Sequence, residues 1–332
     1  MSRLPLRRGP VAGRAGKRAG AVGGWSIVAG VLVVIVSASS AVALVLGPVK
    51  ILAGPEDQQD PRGNGTYLLW DQNSEAKPGR YNVFASDDGG ASSFRVNRRG
   101  TRGFTGDVRQ DANEAIYQEV DEGRSDLQMI DLASRQRSDP PAGINTRNWE
   151  WSPRLSADYI LFIRDVARTS RRLLILYDRG ARTKTTLVDV PRKRVWLYAY
   201  HVGSAYVTWE RADADGWSAW IYDIAGGTKT RIPTVGGRGQ YGPVVDEING
   251  NAYWVRSGAG DCGHNVRILE APLTALDAPM VVETMPDGID VWTMSLEEDS
   301  ANARMDLLFT RFKCRSSQGD LYELQGVDDL LP

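Results

Sequence analysis

The chain has 332 residues, of which 40 are basic and 41 acidic, so its formal net charge at pH 7 is −1. Charged residues make up 24% of the sequence, an ordinary share for a globular protein. Six basic residues lie within the first 24 positions, which leaves the remaining chain with a net charge near −7. This acidic balance argues against a nucleic-acid-binding surface, so no nucleic acid partner is expected.

The N-terminal segment predicts a membrane anchor. Residues 1–24 carry only basic charges, and no further charge appears until Lys50. Ile27–Leu46 is a mainly apolar run of 20 residues, about the length that crosses a bilayer as a helix. Because basic flanks favour the cytoplasmic side, we predict a basic cytoplasmic arm over 1–24 and a transmembrane signal-anchor over 25–47. The protein would then be a single-pass cell-membrane protein with an extracytoplasmic C-terminal domain.

Removal of this segment as a signal peptide is the alternative, and it would give a secreted protein. Ala41-Val42-Ala43 has the small-x-small form of a processing site. The apolar run continues past this point to Leu46, and it is longer than the roughly 7–15 residues of a signal peptide. The length of the run therefore favours a retained anchor.

The rest of the chain is repetitive. Residues 48–64 are interpreted as a linker with a possible closing strand at Val49–Leu52, because they are rich in Pro, Gly, Asp and Gln. Over 65–332, a pair of apolar, strand-like runs recurs six times. Equivalent positions lie 48, 44, 47, 47 and 53 residues apart, slightly above the roughly 40–45 residues of a four-stranded propeller blade. These positions are Tyr67, Ala115, Tyr159, Tyr206, Tyr253 and Asp306.

The repeats predict an all-β fold, a six-bladed β-propeller preceded by the single transmembrane helix. Further strand-like runs flank the hairpins and bring each repeat to four strands, and such units must stack to bury both of their faces. The last repeat lacks a good outer strand, so we expect the chain near Val49–Leu52 or Thr66 to complete it. A sandwich of two sheets is the alternative architecture.

Tryptophans recur at comparable places in the repeats, and we expect them to pack in the core between blades. They are Trp70, Trp151, Trp196, Trp209, Trp220, Trp254 and Trp292.

The two cysteines occupy the same place in adjacent repeats. Cys262 and Cys314 each follow the first apolar run of their repeat, in hairpins that neighbouring blades hold side by side. An oxidising compartment would allow them to form a disulfide. Two free buried thiols are the alternative, whereas a metal site is not expected because two cysteines and the nearby His264 do not supply four ligands.

One repeat carries a family motif. Trp151-Ser152-Pro153 leads into Tyr159–Asp165, and a second strand ends in Tyr177-Asp178. This arrangement resembles the repeat of the TolB-type (WD40-like, PD40) propellers, although Arg154-Leu155 replaces the Asp-Gly of the family turn. The resemblance implies an extracytoplasmic binding platform with an envelope or translocation role, on which proteins or peptides dock at one mouth of the ring. We expect the membrane anchor in place of the α/β domain that TolB carries ahead of its propeller.

The sequence offers little for catalysis. The only histidines are His201 and His264, and no Gly-x-Ser-x-Gly motif is present. Asp213–Gly216 resembles the start of a calcium loop but lacks the distal Glu, and Arg192-Lys193-Arg194 is interpreted as a solvated loop or a contact for acidic lipid or polymer. We therefore expect no enzyme, no cofactor and no metal.

These observations predict a non-catalytic, monomeric, membrane-tethered propeller that binds a protein or peptide partner. The alternatives are a propeller enzyme such as a polysaccharide lyase, for which His264 beside Asp261 is the feature to test, and a small-ligand sensor. Binding residues are expected where the connections into the innermost strands converge. The candidates are Arg147, Asn148, Trp149, His201, Arg238, Gln240, Tyr241, Asp287 and Asp290.

Overall fold

The computed structural model describes residues 48–52, 57–73, 80–234, 239–258, 262–299, 304–314, 319–325 and 327. This part of the chain forms 24 strands in six antiparallel sheets of four strands each, and it contains no α-helix. No helix of the described part is long and apolar enough to span a membrane. The predicted anchor over 25–47 and the basic arm over 1–24 lie outside the described residues.

The six sheets are the blades of a β-propeller, as predicted. In five blades the strands follow the chain from the innermost to the outermost, and the sixth takes its outermost strand from the other end of the described chain. The strands are β2 (Asp57–Gly63), β3 (Leu68–Asn73), β4 (Tyr81–Ser86) and β5 (Phe94–Arg95) in blade 1; β6 (Arg102–Val108), β7 (Glu114–Asp121), β8 (Arg124–Asp131) and β9 (Gln136–Ser138) in blade 2; β10 (Trp149–Leu155), β11 (Tyr159–Val166), β12 (Arg171–Asp178) and β13 (Thr183–Pro191) in blade 3; β14 (Trp196–Val202), β15 (Tyr206–Asp213), β16 (Gly216–Asp223) and β17 (Thr228–Arg231) in blade 4; β18 (Gln240–Asp246), β19 (Asn251–Arg256), β20 (Arg267–Pro272) and β21 (Met280–Thr284) in blade 5; and β22 (Ile289–Asp299), β23 (Arg304–Lys313), β24 (Gly319–Leu324) and β1 (Val49–Leu52) in blade 6.

The ring closes where the two ends of the fold meet. Strand β1 pairs antiparallel with β24, so the first of the two candidate segments supplies the outer strand of blade 6. The Lys50 ammonium lies 2.7 Å from the Asp320 carboxylate across this pair. Further in, the Ser295 hydroxyl donates to the Pro61 carbonyl at 2.7 Å. Closure therefore involves both the outer edge of blade 6 and the innermost strands.

Strand β2 lies within the segment that sequence analysis interprets as a linker. Pro61 is the only apolar side chain in Asp57–Gly63, so hydrophobic periodicity does not identify these residues as a strand. Three of its polar side chains, Asp57, Gln58 and Arg62, are nevertheless buried. Their partners come from neighbouring blades, for example the amide of Gly319, which donates to the Asp57 carboxylate at 2.9 Å.

The hydrophobic core lies between the blades. The second strand of every blade carries one buried aromatic side chain at an equivalent position: Trp70, Tyr117, Phe162, Trp209, Trp254 and Phe309. Each packs against a neighbouring sheet. Trp70 of blade 1 packs in one hydrophobic cluster with Leu308 of blade 6. Trp254 of blade 5 packs in another with Ile221 of blade 4. Burial of one such side chain stabilises the fold by about 1.5–3 kcal/mol.

The expectation that the recurring tryptophans all pack in the core is correct for Trp70, Trp209 and Trp254, which are buried. Trp151 and Trp220 are half-buried. The prediction is wrong for Trp196 and Trp292, which are exposed. These two lie near the upper ends of innermost strands, where their rings reach solvent.

The ring has two faces. The upper face consists of the hairpins between second and third strands and of the connections that lead into the innermost strands. Hydrogen bonds between such segments, for example from the Arg192 amide to the Ser170 carbonyl at 2.9 Å, hold them together. The lower face consists of the other connections. Strand β1, which pairs antiparallel with β24, starts on the lower face.

The predicted disulfide is confirmed. Cys262 and Cys314 are bonded, their Cα atoms are 5.7 Å apart, and they join the upper-face hairpins of blades 5 and 6. The adjacent Gly263 has a φ of +80°, and a Cβ atom there would lie 2.7 Å from the Cys314 sulfur. Glycine is therefore required beside this bridge.

Candidate functional site

Four exposed tryptophans surround the opening of the central channel on the upper face, which we call the upper mouth. Trp149, Trp196 and Trp292 lie at or near the starts of the innermost strands β10, β14 and β22, and Trp217 lies at the start of β16. Their exposed fractions are 44%, 49%, 53% and 41%. Several exposed indole rings on one face are uncommon on monomeric proteins and indicate an interaction surface.

Neighbouring side chains hold these rings in place. Trp196 stacks on Tyr198, with ring centroids 6.4 Å apart and an interplanar angle of 8°. The guanidinium of Arg172 lies 4.8 Å from the Trp151 ring and 5.4 Å from the Trp196 ring. Asp165 accepts two hydrogen bonds from the same guanidinium, at 2.7 and 2.9 Å. The charge of Arg172 is thus paired inside the protein, while its flat face supports Trp196.

On the opposite side of the mouth, a polar contact joins blades 5 and 6. The Tyr241 hydroxyl donates to the Asp290 carboxylate at 2.5 Å. Burial and the Asp290 charge raise the pKa of Tyr241 well above its usual value, so the hydroxyl keeps its proton. Trp217 lies 6.4 Å from the Tyr241 ring, and Trp292 packs 5.5 Å from Phe312.

Asp290 also lies beside the disulfide, with its other oxygen 3.5 Å from the Cys262 sulfur. Among the described residues, Asp290 and the two cysteines form a group whose potential ligand atoms lie within 4.8 Å of one another. A thiolate is the form of cysteine that binds metals. Since both sulfurs are engaged in the disulfide, this group does not fit a metal ion.

The structure places six of the nine predicted binding residues around the upper mouth. Trp149, Tyr241 and Asp290 lie on innermost strands, and Arg147, Asn148 and Asp287 lie on the connections that precede them. The remaining three are placed differently. Gln240 starts β18 but is buried, and its amide donates to the Pro233 carbonyl at 3.4 Å. Arg238 lies outside the described residues.

His201 is the one candidate that the structure places away from this mouth. It is the sixth residue of the seven-residue strand β14, toward the lower face. Burial lowers its pKa to about 4, and the nearby carboxylate of Glu247 opposes this shift. The Glu247 carboxylate in turn accepts hydrogen bonds from the amides of Ser204 and Tyr206, both at 2.8 Å. His201 is therefore a neutral side chain beside a lower-face connection.

Sequence analysis missed three of the four exposed tryptophans as site residues. Trp196 and Trp292 are assigned there to the core, and Trp217 is not considered. A usable signal was present for one of them, because the basic run Arg192-Lys193-Arg194 ends two residues before Trp196. A strand whose start follows such a solvated run lies near the surface.

Below the mouth, two buried arginines connect the innermost strands. Arg62 Nη2 lies 2.7 Å from the Asp60 carboxylate, and Arg62 Nη1 donates to the Met294 carbonyl at 2.5 Å. Arg154 donates to the carbonyls of Tyr200 and Gly106 at 2.9 and 2.7 Å. These contacts join β2, β6, β10, β14 and β22.

Bulges in the innermost strands make these contacts possible. The pairing of each innermost strand with its neighbour shifts at this level, and a bulge releases backbone groups from the sheet. In blades 1, 3 and 5 the bulge is a residue with positive φ followed by proline: Asp60 (φ 52°), Ser152 (φ 50°) and Gly242 (φ 62°). The Trp-Ser-Pro motif is one of these bulges, and Arg154, which replaces the Asp of the family turn, supplies a guanidinium to the channel.

Several buried carboxyl groups bind backbone amides of the next blade. Glu210 accepts from the Gly242 amide at 3.0 Å, and burial raises its pKa to about 8. Asp71 accepts from the amide and hydroxyl of Thr105, and burial raises its pKa well above the usual value. A general acid or base must reach the substrate proton. The carboxyl groups of Glu210 and Asp71 are instead enclosed between strands, so their role is structural.

The second histidine does not form a close pair. His264 is exposed on the upper face, and its Nδ1 lies 3.9 Å from the Asp287 carboxylate, which is also exposed. Asp261, its predicted neighbour, lies outside the described residues.

Three solved structures share this fold. TolB from Acinetobacter baumannii matches with a TM-score of 0.54 and 12% identity, over 80% of this chain and 65% of that chain. The putative TolB from Agrobacterium tumefaciens matches with a TM-score of 0.52 and 11% identity, over 83% and 92%. The β-propeller domain of the Trilobed protease from Pyrococcus furiosus, which has an open velcro topology, matches with a TM-score of 0.51 and 10% identity, over 82% and 94%.

The fold is thus a TolB-like six-bladed β-propeller. The chain spans just under two thirds of the length of the Acinetobacter TolB, and identities of 10–12% show a shared fold alone. No protein-family model and no curated protein matches the sequence.

Proposed function

We propose that this protein is a non-catalytic, membrane-tethered extracytoplasmic propeller that binds a protein or peptide partner at its upper mouth. The observation that carries the proposal is the set of four exposed tryptophans around that mouth. Tryptophan, tyrosine and arginine dominate the energy of protein interfaces. Here Tyr198 and Arg172 position Trp196 before any partner arrives, which lowers the entropy cost of binding.

The buried titratable groups support a binding role over a catalytic one. Glu210 and His201 have pKa values displaced by burial, a feature that also marks active sites. Glu210, however, holds the Gly242 amide of the adjacent blade, and His201 lies toward the opposite face from the exposed tryptophans. Glu210 and His201 are thus not part of the exposed tryptophan surface.

The tether is inferred from the sequence. The basic arm over 1–24 and the apolar run over 25–47 have the charge order and length of a signal-anchor. A disulfide between Cys262 and Cys314 is typical of proteins outside the reducing cytosol.

Site-specific crosslinking tests the proposal. A photoreactive phenylalanine analogue replaces Trp292 at the upper mouth or, as the control, Ile248, which is 70% exposed on the lower face. The full chain is expressed in its native membrane, irradiated, purified and analysed by mass spectrometry. We expect a discrete protein adduct from position 292 and none from 248. Identical adduct patterns from both positions would refute binding at the upper mouth.

A further inference from the structure

The upper face carries positive charge although the chain outside the N-terminal arm is acidic. Its hairpins and connections contain exposed basic side chains that form no ion pair within the described residues: Arg80, Arg99, Arg102, Arg147, Arg168, Lys193, Arg194 and Lys313. Among the described residues of the same segments, the exposed acids that lack an ion pair are Glu122, Asp139 and Asp215, and Asp287 lies beside His264.

Basic groups and exposed indole rings alternate around the mouth. Arg147 precedes Trp149 by two residues, and Arg194 precedes Trp196 by two. Lys313 follows Phe312, whose ring packs against Trp292. Three of the four exposed tryptophans thus have an unpaired positive charge close by. Unpaired like charges on one surface repel each other and are neutralised when an oppositely charged partner binds.

We propose that the upper mouth binds an extended acidic segment of a partner protein, with apolar or aromatic side chains seated against the tryptophans and carboxylates facing the basic rim. This inference rests on the proposed function and specifies the partner. Indole rings pack well against aromatic and proline side chains. Guanidinium and ammonium groups bind carboxylates through charge-assisted hydrogen bonds.

The position of the tryptophans favours an inserted chain over a lipid bilayer. Trp149, Trp196 and Trp292 lie on innermost strands, whereas the hairpins of the upper face surround them. A flat bilayer surface would meet the hairpins first, and would reach these rings only if the rings projected beyond them. A narrow extended segment can enter the mouth and contact rings and rim together.

Selection from a random peptide library tests the charge preference directly. The purified full chain in detergent is immobilised, and a random 12-residue display library is selected on it at about physiological salt. We expect the recovered peptides to be enriched in Asp and Glu together with Trp, Tyr, Phe or Pro. Recovery of basic or neutral peptides, or no enrichment, would overturn the inference.

A matched pair of charge reversals then locates the contact for the best recovered peptide. Arg194→Glu changes an exposed basic residue on the upper-face connection between blades 3 and 4. Arg182→Glu changes an exposed basic residue on the lower face of blade 3. We expect Arg194→Glu to weaken binding by at least about tenfold, mainly through the association rate, and Arg182→Glu to leave it within about twofold. Equal effects of the two variants would overturn the inference.

Further variants and ligands separate this inference from the proposed function. If Trp196→Ala abolishes peptide binding but Arg194→Glu does not, the upper mouth binds peptides without an acidic preference, and only the inference fails. If the protein instead binds polyglucuronate or phosphatidylglycerol vesicles through the same residues and selects no peptides, both proposals fail. Loss of affinity with rising salt is expected, since ions screen charges beyond about 10 Å at 0.1 M.

Discussion

The same innermost strands serve two different purposes along their length. At the level of the bulges they carry Arg62 and Arg154, which are buried and held by carbonyl groups of neighbouring blades. At their upper ends they carry Trp149, Trp196 and Trp292, which are about half exposed. The charged level is therefore enclosed and structural, while the apolar level meets solvent. This reverses the usual arrangement of apolar inside and polar outside, and the exposed aromatic level is the surface for which we propose binding.

The largest effect that separates the two levels is expected from Arg154→Met. The change removes the Arg154 donor from the carbonyls of Gly106 and Tyr200, and it leaves Asp60 without one of its two cations. Removal of one member of a buried charged pair costs about 3–5 kcal/mol. Chemical denaturation should show this loss in the free energy of unfolding. Arg182→Met, on the exposed lower face, is the control and should change it by less than about 0.5 kcal/mol. Equal values for the two variants would show that the channel arginines do not hold the ring.

The disulfide tests whether the upper mouth depends on covalent closure. The bond spans 52 residues, and the double variant Cys262→Ser and Cys314→Ser should lose about 2–4 kcal/mol of unfolding free energy. Reduction of the wild-type protein should produce a similar loss. Since the bridge joins blades 5 and 6 beside Asp290, hydrogen exchange should increase first in those two hairpins. Faster exchange in blades 2 and 3 instead would contradict a local role.

The buried carboxyl of Glu210 makes the channel level sensitive to pH. Its pKa is raised from an ordinary 4.5 to about 8, so the folded protein binds one more proton than the unfolded chain between these values. Its contribution to stability is complete below pH 4.5 and is lost as the pH rises through 8. His201, whose pKa is lowered to about 4 from 6.5, acts in the opposite sense, since its contribution is lost as the pH falls through 4. Between pH 4.5 and 6.5 the two groups change the free energy of unfolding with pH in opposite directions. Between pH 6.5 and 8 Glu210 changes it and His201 does not.

The window between pH 6.5 and 8 therefore separates the contribution of Glu210 from that of His201. Each pH unit there should lower the free energy of unfolding by about 1.4 kcal/mol, which gives about 2 kcal/mol over the window. Glu210→Gln keeps an acceptor for the Gly242 amide but cannot ionise, so its stability should be flat over the same range. Denaturant titrations at three pH values measure both slopes. Parallel slopes for the two proteins would show that another group titrates.

The sequence predicts the repeat better than it predicts the channel. The period of the apolar pairs is visible because every second strand packs one aromatic, such as Tyr117 or Trp254, between sheets. Strand β2 is missed because most of its buried side chains are polar and some of their partners come from other blades, as with Asp57 and Gly319. Such long-range partners leave no periodic signal.

The candidate site shows the same limit. Sequence position identifies Trp149, Tyr241 and Asp290 near the upper mouth, because each lies at or near the start of an innermost strand. It does not tell that side chains near the upper ends of these strands reach solvent, so Trp196 and Trp292 are assigned to the core. His201 is misplaced because a strand of seven residues carries its sixth residue to the opposite side of the ring.

The smallest expected change in stability comes from replacing the exposed tryptophans. It tests the difference between the exposed upper level and the buried level of the strands most directly. Trp196→Ala and Trp292→Ala remove rings that are about half in solvent, so each should cost no more than about 1–2 kcal/mol, whereas Trp254→Ala at a buried position should cost about 3–5 kcal/mol. Binding should show the opposite order. The two upper-mouth variants should weaken the selected peptide by at least about tenfold, as loss of an interface anchor does, while folded Trp254→Ala should bind it normally. If Trp292→Ala is instead as destabilising as Trp254→Ala and binds like the wild type, the upper aromatics are part of the core, and the separation between the two levels of the strands does not hold.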